Sequence, residues 1–241
     1  MQLKIFKNYT ELSDQVSNAI IDLVKEKPTA VLCLASGDTP KLTYADLVRK
    51  SAEQHIDFSQ CTFIGLDEWV GIPPDNQGSC HYFLHHHLFS PLRIALSQVH
   101  VFDALSKNLD EECSKMDKTI KEKGGIDLML VGIGMNGHIG FNEPGVSFDL
   151  YAHVIELDET TQAVGQKYFN SKMILPKGIT LGLKHFLEAR KAILIANGNK
   201  KAGIIQKAVK GIIGTEIPAS IIQQHSNGWA MIDEEAASLI L

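Results

Sequence analysis

Short, continuous apolar runs of strand length, separated by stretches with helical apolar spacing, constrain this chain more than any other feature of its sequence. The runs cover residues 30–35, 61–66, 99–102, 127–132, Ala192–Ala196 and 229–232. Their apolar residues follow one another without alternating, as a strand buried on both faces requires. The intervening stretches 12–25, 42–53 and 200–210 carry apolar side chains at three- and four-residue spacing, which fits amphipathic helices. A strand-like Leu3-Lys4-Ile5-Phe6 opens the pattern. Strand and helix alternating in this way predict the α/β class: a three-layer, mostly parallel open sheet of Rossmann-like type, with crossover helices on both faces.

With 241 residues, 44% of them apolar, the chain is long enough to bury a core and short enough for a single α/β domain over residues 1–241. The least sheet-like part is 146–184, where residues 158–169 read as a helix and 175–178 as a turn. A long excursion between two core strands fits a lid over a site. Charges are mixed, the formal net charge is -5 and no Lys/Arg block occurs, which argues against a nucleic-acid partner. The first residues lack the apolar core of a signal peptide, and no run approaches the roughly 18 apolar residues of a membrane span, so a cytoplasmic protein with no membrane partner is expected. Cys33, Cys61, Cys80 and Cys113 are scattered without a C-x-x-C pair and read as reduced thiols.

In open parallel sheets, ligands bind beyond the carboxyl ends of the strands. One such end carries Gly132-Ile133-Gly134-Met135-Asn136-Gly137, which matches G-x-G-x-x-G. A dinucleotide loop needs a helix directly after it. Here the chain continues His138-Ile139-Gly140-Phe141-Asn142-Glu143-Pro144-Gly145, in which Gly140, Pro144 and Gly145 oppose a regular helix. The glycines instead suit a backbone that approaches a ligand closely, with His138 and Glu143 as an acid/base pair, although spacing alone fits a structural histidine equally well.

Three further segments carry usable chemistry, each beside a plainer reading. Ser36-Gly37-Asp38-Thr39-Pro40 offers a tight turn and helix-start N–H groups for a phosphate, or an ordinary helix cap. Asp67-Glu68 beside Trp69 offers a carboxylate of raised pKa, or a solvated turn. Asn197-Gly198-Asn199-Lys200-Lys201 offers a lysine to an anion, or exposed charge. His81 and His85 lie one helical turn apart but stand in no recognised metal pattern, so a packed histidine cluster and no bound metal are expected.

The segments Ser36 to Pro40, Leu66-Asp67-Glu68-Trp69-Val70-Gly71, Asn76-Gln77-Gly78-Ser79 leading into His81-Tyr82-Phe83, and Gly137 to Gly145 together resemble the glucosamine-6-phosphate deaminase (isomerising) family over essentially the whole chain. The last segment is the most specific. The related 6-phosphogluconolactonases share the sheet and a similar glycine-histidine loop, but typically continue without the Phe141-Asn142-Glu143-Pro144 seen here.

The resemblance implies conversion of glucosamine 6-phosphate and water to fructose 6-phosphate and ammonia, without metal or organic cofactor. It implies that Asp67 moves a proton between neighbouring carbons, that His138 opens the sugar ring and that Glu143 is its carboxylate partner. Asn136 joins that catalytic group, and Ser36, Gly37, Thr39, Lys167 and Lys201 would hold the phosphate. Two positions depart from the family pattern. Asn136 stands where many members have Asp, and it can orient a ring without stabilising imidazolium by charge. Lys167 stands where many have Arg and offers one charge without the bidentate fork.

Long, hexameric members are activated by N-acetylglucosamine 6-phosphate through segments bearing Arg and Lys. The corresponding stretch here, Val146-Ser147-Phe148-Asp149-Leu150-Tyr151-Ala152-His153, has neither, and the chain ends at Leu241. Little allosteric activation and a monomer or small homo-oligomer are therefore expected. Two other readings compete: a related phosphosugar enzyme such as a lactonase, and a sugar-phosphate effector domain of a transcription regulator. The second wants a helix-turn-helix ahead of the sheet, where the strand-like residues 3–6 begin at once.

Overall fold

A computed structural model describes residues 1–241. In chain order the elements are β1 (Gln2–Phe6), α1 (Tyr9–Glu26), β2 (Val31–Leu34), α2 (Lys41–Gln54), β3 (Thr62–Ile64), β4 (Asp67–Trp69), α3 (Cys80–Leu84) and β5 (Val99–His100). They continue as α4 (Leu109–Glu122), β6 (Leu128–Val131), β7 (His153–Glu156), α5 (Glu159–Gly165), β8 (Lys177–Thr180), α6 (Leu183–Glu188), β9 (Ala192–Ala196), α7 (Ala202–Lys210) and β10 (Gly228–Asp233).

Seven strands form one sheet in the order β1-β10-β9-β6-β2-β3-β5, every neighbouring pair parallel. The unbroken apolar runs are explained by how their residues divide between the two faces. Val31, Cys33, Met129, Val131, Ala192 and Leu194 enter one core, which also takes side chains from α4, α6 and α7. Leu32, Leu34, Leu128, Leu130, Ile193 and Ile195 enter the other, against α1 and α2. Because alternate residues point to opposite faces, two apolar faces require every residue to be apolar. The helices begin where the sequence supplies caps: the Asn8 side chain accepts from the Glu11 N–H at 3.0 Å ahead of α1, and Asn108 accepts from Glu111 at 3.2 Å ahead of α4.

A second sheet of three antiparallel strands, β4-β8-β7, was not foreseen, and it corrects the expected strand at 61–66. Only Thr62–Ile64 joins the large sheet, and Asp67–Trp69 leaves it to pair with β8. The turn expected at 175–178 is corrected for the same reason, since Lys177 and Gly178 already belong to β8. A Cβ on Gly178 would fall 2.4 Å from Phe141 Cδ2, so the strand carries glycine where the ring crosses it. The helix expected at 158–169 ends at Gly165 and finishes as a 3-10 turn, Gln166–Tyr168, and the one expected at 200–210 starts with the 3-10 turn Asn199–Lys201. The 99–102 run shortens to the two residues of β5. All four cysteines are free and buried. No helix is long and apolar enough to cross a membrane.

Candidate active site

From β2 the chain winds outward to β3 and β5, then returns to lay β6 on the other side of β2 and continues to β9 and β10. The connections after β2 and β6 therefore diverge, which opens a crevice at their carboxyl ends. A cavity of about 470 Å³ lies there. Ser36, Gly37 and Thr39 line it after β2, and Asn136 and His138 after β6. Asp67 from β4, Lys167 from the 3-10 turn after α5 and Lys201 ahead of α7 complete the set. Glu143 is the exception among the predicted residues, being buried behind His138 rather than in the wall.

The turn after β2 is held open toward the cavity. Gly37 adopts a φ of 110°, open to glycine at little cost, and the Tyr9 hydroxyl braces the turn by donating to the carbonyls of Asp38 and Thr39 at 3.1 and 2.8 Å. The same hydroxyl accepts from the Leu42 N–H at 3.1 Å, which ties the turn to the first turn of α2. Two lysines converge on this region. The Lys201 ammonium donates to the Ile133 carbonyl, and burial together with the Lys167 charge depresses it to about 8. Lys167 lies 2.6 Å from the Asp38 carboxylate. Burial pulls its ammonium down, but Asp38 and the Tyr168 hydroxyl more than restore it, leaving it above the ordinary lysine value. Two cations brought together at one glycine turn can be relieved of their mutual repulsion by an anion.

The glycine loop carries the acid/base pair. His138 Nδ1 lies 3.3 Å from Glu143 Oε2, and Asn136 Nδ2 donates to the same oxygen at 2.7 Å. Asn136 Oδ1 in turn accepts from the His138 backbone N–H at 3.2 Å. Burial alone would raise the Glu143 carboxyl, but its contacts with His138, Thr161 and Asn136 hold it below the usual carboxylate range. A Cβ on Gly134 would fall 2.3 Å from His138 Nε2, so the second glycine of the loop makes room for the imidazole rather than for a pyrophosphate. Gly140, at a φ of 56°, brings the same loop against the other acid, since a Cβ there would lie 3.4 Å from Asp67 Oδ2.

Asp67 and Glu68 are adjacent in sequence and divided in role. Glu68 is buried and accepts from Trp69 N, Cys80 N, Ser79 Oγ and His81 N at 2.7–3.0 Å, which fastens the start of α3 to β4. Asp67 faces the cavity half-buried, and desolvation, helped by the Glu68 charge, pushes it up to about 7. A carboxylate so placed can both take and return a proton near neutral pH. His81 and His85 stand edge to face, 6.3 Å between ring centroids, with no third ligand to make a metal cluster.

Residues that the sequence reading did not single out complete the site from the 146–184 excursion. Thr161 on α5 is buried with its hydroxyl 3.1 Å from His138 Nδ1, and Tyr168 comes within 3.5 Å of where a Cβ on Gly37 would lie. A Cβ on Gly165 would fall 2.6 Å from Trp69 Cη2, so α5 seats directly on that indole. The signal available was the spacing Thr161, Gly165, Tyr168, which marks one face of a helix.

The family model for glucosamine-6-phosphate isomerases and 6-phosphogluconolactonases matches residues 7–231. The chain belongs to that family. Among its relatives, a glucosamine-6-phosphate deaminase of Thermoanaerobacter sp. (strain X514) is 40% identical, with all of this chain and 95% of that protein aligned. The corresponding deaminase of Clostridium perfringens (strain 13 / Type A) is also 40% identical, over the full length of both. A solved structure of a monomeric glucosamine-6-phosphate deaminase superposes with a TM-score of 0.96 at 36% identity, covering 99% of this chain and 100% of the other. The 6-phosphogluconolactonase of Trypanosoma brucei reaches a TM-score of 0.78 at 18% identity, covering 100% and 98%, and shares the fold.

Proposed function

We propose that this chain converts glucosamine 6-phosphate and water to fructose 6-phosphate and ammonia. The observation that carries the reading is that one cavity brings two lysines to the 36–39 turn, beside a carboxylate pushed up to about 7 and an imidazole backed by the buried Glu143. The deaminase relatives align over the whole chain, whereas the lactonases are distant.

The phosphate binds the 36–39 turn with Lys201 and Lys167, which orients the sugar before any bond changes. His138, backed by Glu143 and Asn136, gives a proton to the ring oxygen and takes one from the anomeric hydroxyl, opening the pyranose to its aldehyde. Asp67 then removes the proton on the amine-bearing carbon as the aldehyde oxygen gains one from the substrate's ammonium, and returns its proton to the former aldehyde carbon, leaving a protonated imine. Water adds to the resulting imine, and ammonia leaves. Residues 1–241 act as one domain in this reading, with 146–184 as the lid. The monomer described for the 36%-identical structure supports a monomer here, checked by sedimentation velocity. Hyperbolic kinetics unaffected by N-acetylglucosamine 6-phosphate are expected, and sigmoidal rates relieved by it would contradict this.

The deciding experiment measures ammonia release from glucosamine 6-phosphate beside hydrolysis of 6-phosphogluconolactone. Ammonia formation supports the reading, and lactone hydrolysis without ammonia overturns it.

A further inference from the structure

Both hydrogen-bonding contacts of the His138 ring run through Nδ1, and the nearer partner is not Glu143. Thr161 Oγ1 lies at 3.1 Å and Glu143 Oε2 at 3.3 Å. Asn136 Nδ2 occupies the same carboxylate oxygen at the shorter distance of 2.7 Å and reaches Thr161 Oγ1 at 3.5 Å, while Glu143 Oε1 is buried without a partner. The amide is therefore the carboxylate's closer partner, and the hydroxyl is the ring's closer neighbour.

Thr161 reaches this place because of where α5 sits. The helix has only seven residues, too few to persist without packing. Gly165, four residues on and so on the same face, lets it close on Trp69, two residues beyond Asp67. One helix face thus touches the neighbourhood of both proton-moving groups.

Building on the ring-opening role proposed for His138, we infer that Thr161 is a positioning residue: its hydroxyl fixes the tautomer and orientation of the imidazole, so that ring opening requires α5 to be seated. A hydroxyl that donates its own hydrogen to the Glu143 carboxylate, which its contact lowers, has only its oxygen left for the ring and so accepts from Nδ1–H, holding the proton on that nitrogen. Seating the 146–184 excursion on the phosphosugar would then complete the acid/base machinery instead of only excluding water.

The test compares Thr161→Val, which keeps the shape and removes the hydroxyl, with Thr161→Ser, which keeps the hydroxyl. In Thr161→Val, kcat is expected to fall on the order of 10–100-fold, the range seen when an orienting partner of a site histidine is removed. KM should stay within about threefold, because the phosphate grip is untouched. Thr161→Ser should recover most of kcat. The ¹⁵N shifts of the His138 ring should move toward a tautomer mixture in the valine variant and return in the serine variant. Gly165→Ala, which retains the hydroxyl but pushes α5 off Trp69, should reproduce the valine shifts. Wild-type kcat and ring shifts in Thr161→Val, or equal impairment in valine and serine, would overturn the inference. A wild type that releases no ammonia sinks the parent reading instead, and the ring shifts still decide this one.

Discussion

Lys167 and Asp38, 129 residues apart in sequence, form an ion pair of 2.6 Å that ties the 146–184 excursion to the turn after β2. Both side chains are well exposed, at 49% and 67%, so the pair is weak and breaks readily. Its consequence is competition: a phosphate at that turn must draw Lys167 from Asp38 and also bear the carboxylate's repulsion. Asp38→Asn should therefore lower KM about 2–5-fold with kcat unchanged, the scale of one exposed charge contact. Steady-state kinetics at two salt concentrations check this, and a raised KM would mean that Asp38 assists the substrate.

Lys201 should contribute more than Lys167, because it is half-buried and desolvated. Lys201→Ala is expected to raise KM about 30-fold, or ~2 kcal/mol, as for loss of one charge-assisted contact. A variant that loses kcat while keeping KM would remove Lys201 from the phosphate site.

The pH dependence follows from two shifted groups of opposite need. Asp67, pushed up to about 7, must be ionised to abstract a proton, so kcat/KM falls as pH drops through about 7. Lys201, depressed to about 8, must be charged to hold phosphate, so kcat/KM also falls as pH rises through about 8. The free enzyme should show a narrow bell between these limbs. Lys201→Arg should carry the alkaline limb upward, since guanidinium stays charged, and an unmoved limb would assign it to another group.

Asp67→Asn should reduce kcat by at least about 10³-fold while leaving KM nearly unchanged, because the amide cannot carry the proton. The same change affects stability. An acid held above its unfolded value binds its proton more tightly when folded, so the stability it lends is complete below the unfolded value of about 3.9 and is lost as pH rises through about 7. The asparagine variant should match the wild type near pH 4 and exceed it at pH 8, by on the order of 1 kcal/mol in urea unfolding. Equal stability at both pH values would mean that Asp67 is not desolvated.

Gly134→Ala should cripple turnover without unfolding the chain, since the new methyl would fall 2.3 Å from His138 Nε2 and force the ring aside. An approximate 100-fold loss of kcat with unchanged thermal unfolding is expected, as for misplacement of a reacting group by about an ångström. A dinucleotide loop would make no such demand through a histidine.

Much of the architecture was legible because its cause is local. Runs such as 30–35 and 128–131 are apolar at every position because each residue meets one of two cores, and that requirement is written residue by residue. The break at Gly140, Pro144 and Gly145 likewise excluded a dinucleotide helix from the sequence itself. The small antiparallel sheet was not legible, because Asp67–Trp69 and Lys177–Thr180 are short segments that become strands only by meeting each other.

The sequence pattern by itself determined the fold class and the loops that carry chemistry, since apolar periodicity and glycine placement act over a few residues, while the eight predicted residues that line the cavity came from the family resemblance. Only the tertiary structure decided that Asp38 bonds Lys167, that Glu68 fastens α3 while Asp67 faces the cavity, and that Thr161 reaches His138. Those relationships depend on strand order and on how closely one backbone approaches another, and residue spacing along the chain does not encode either.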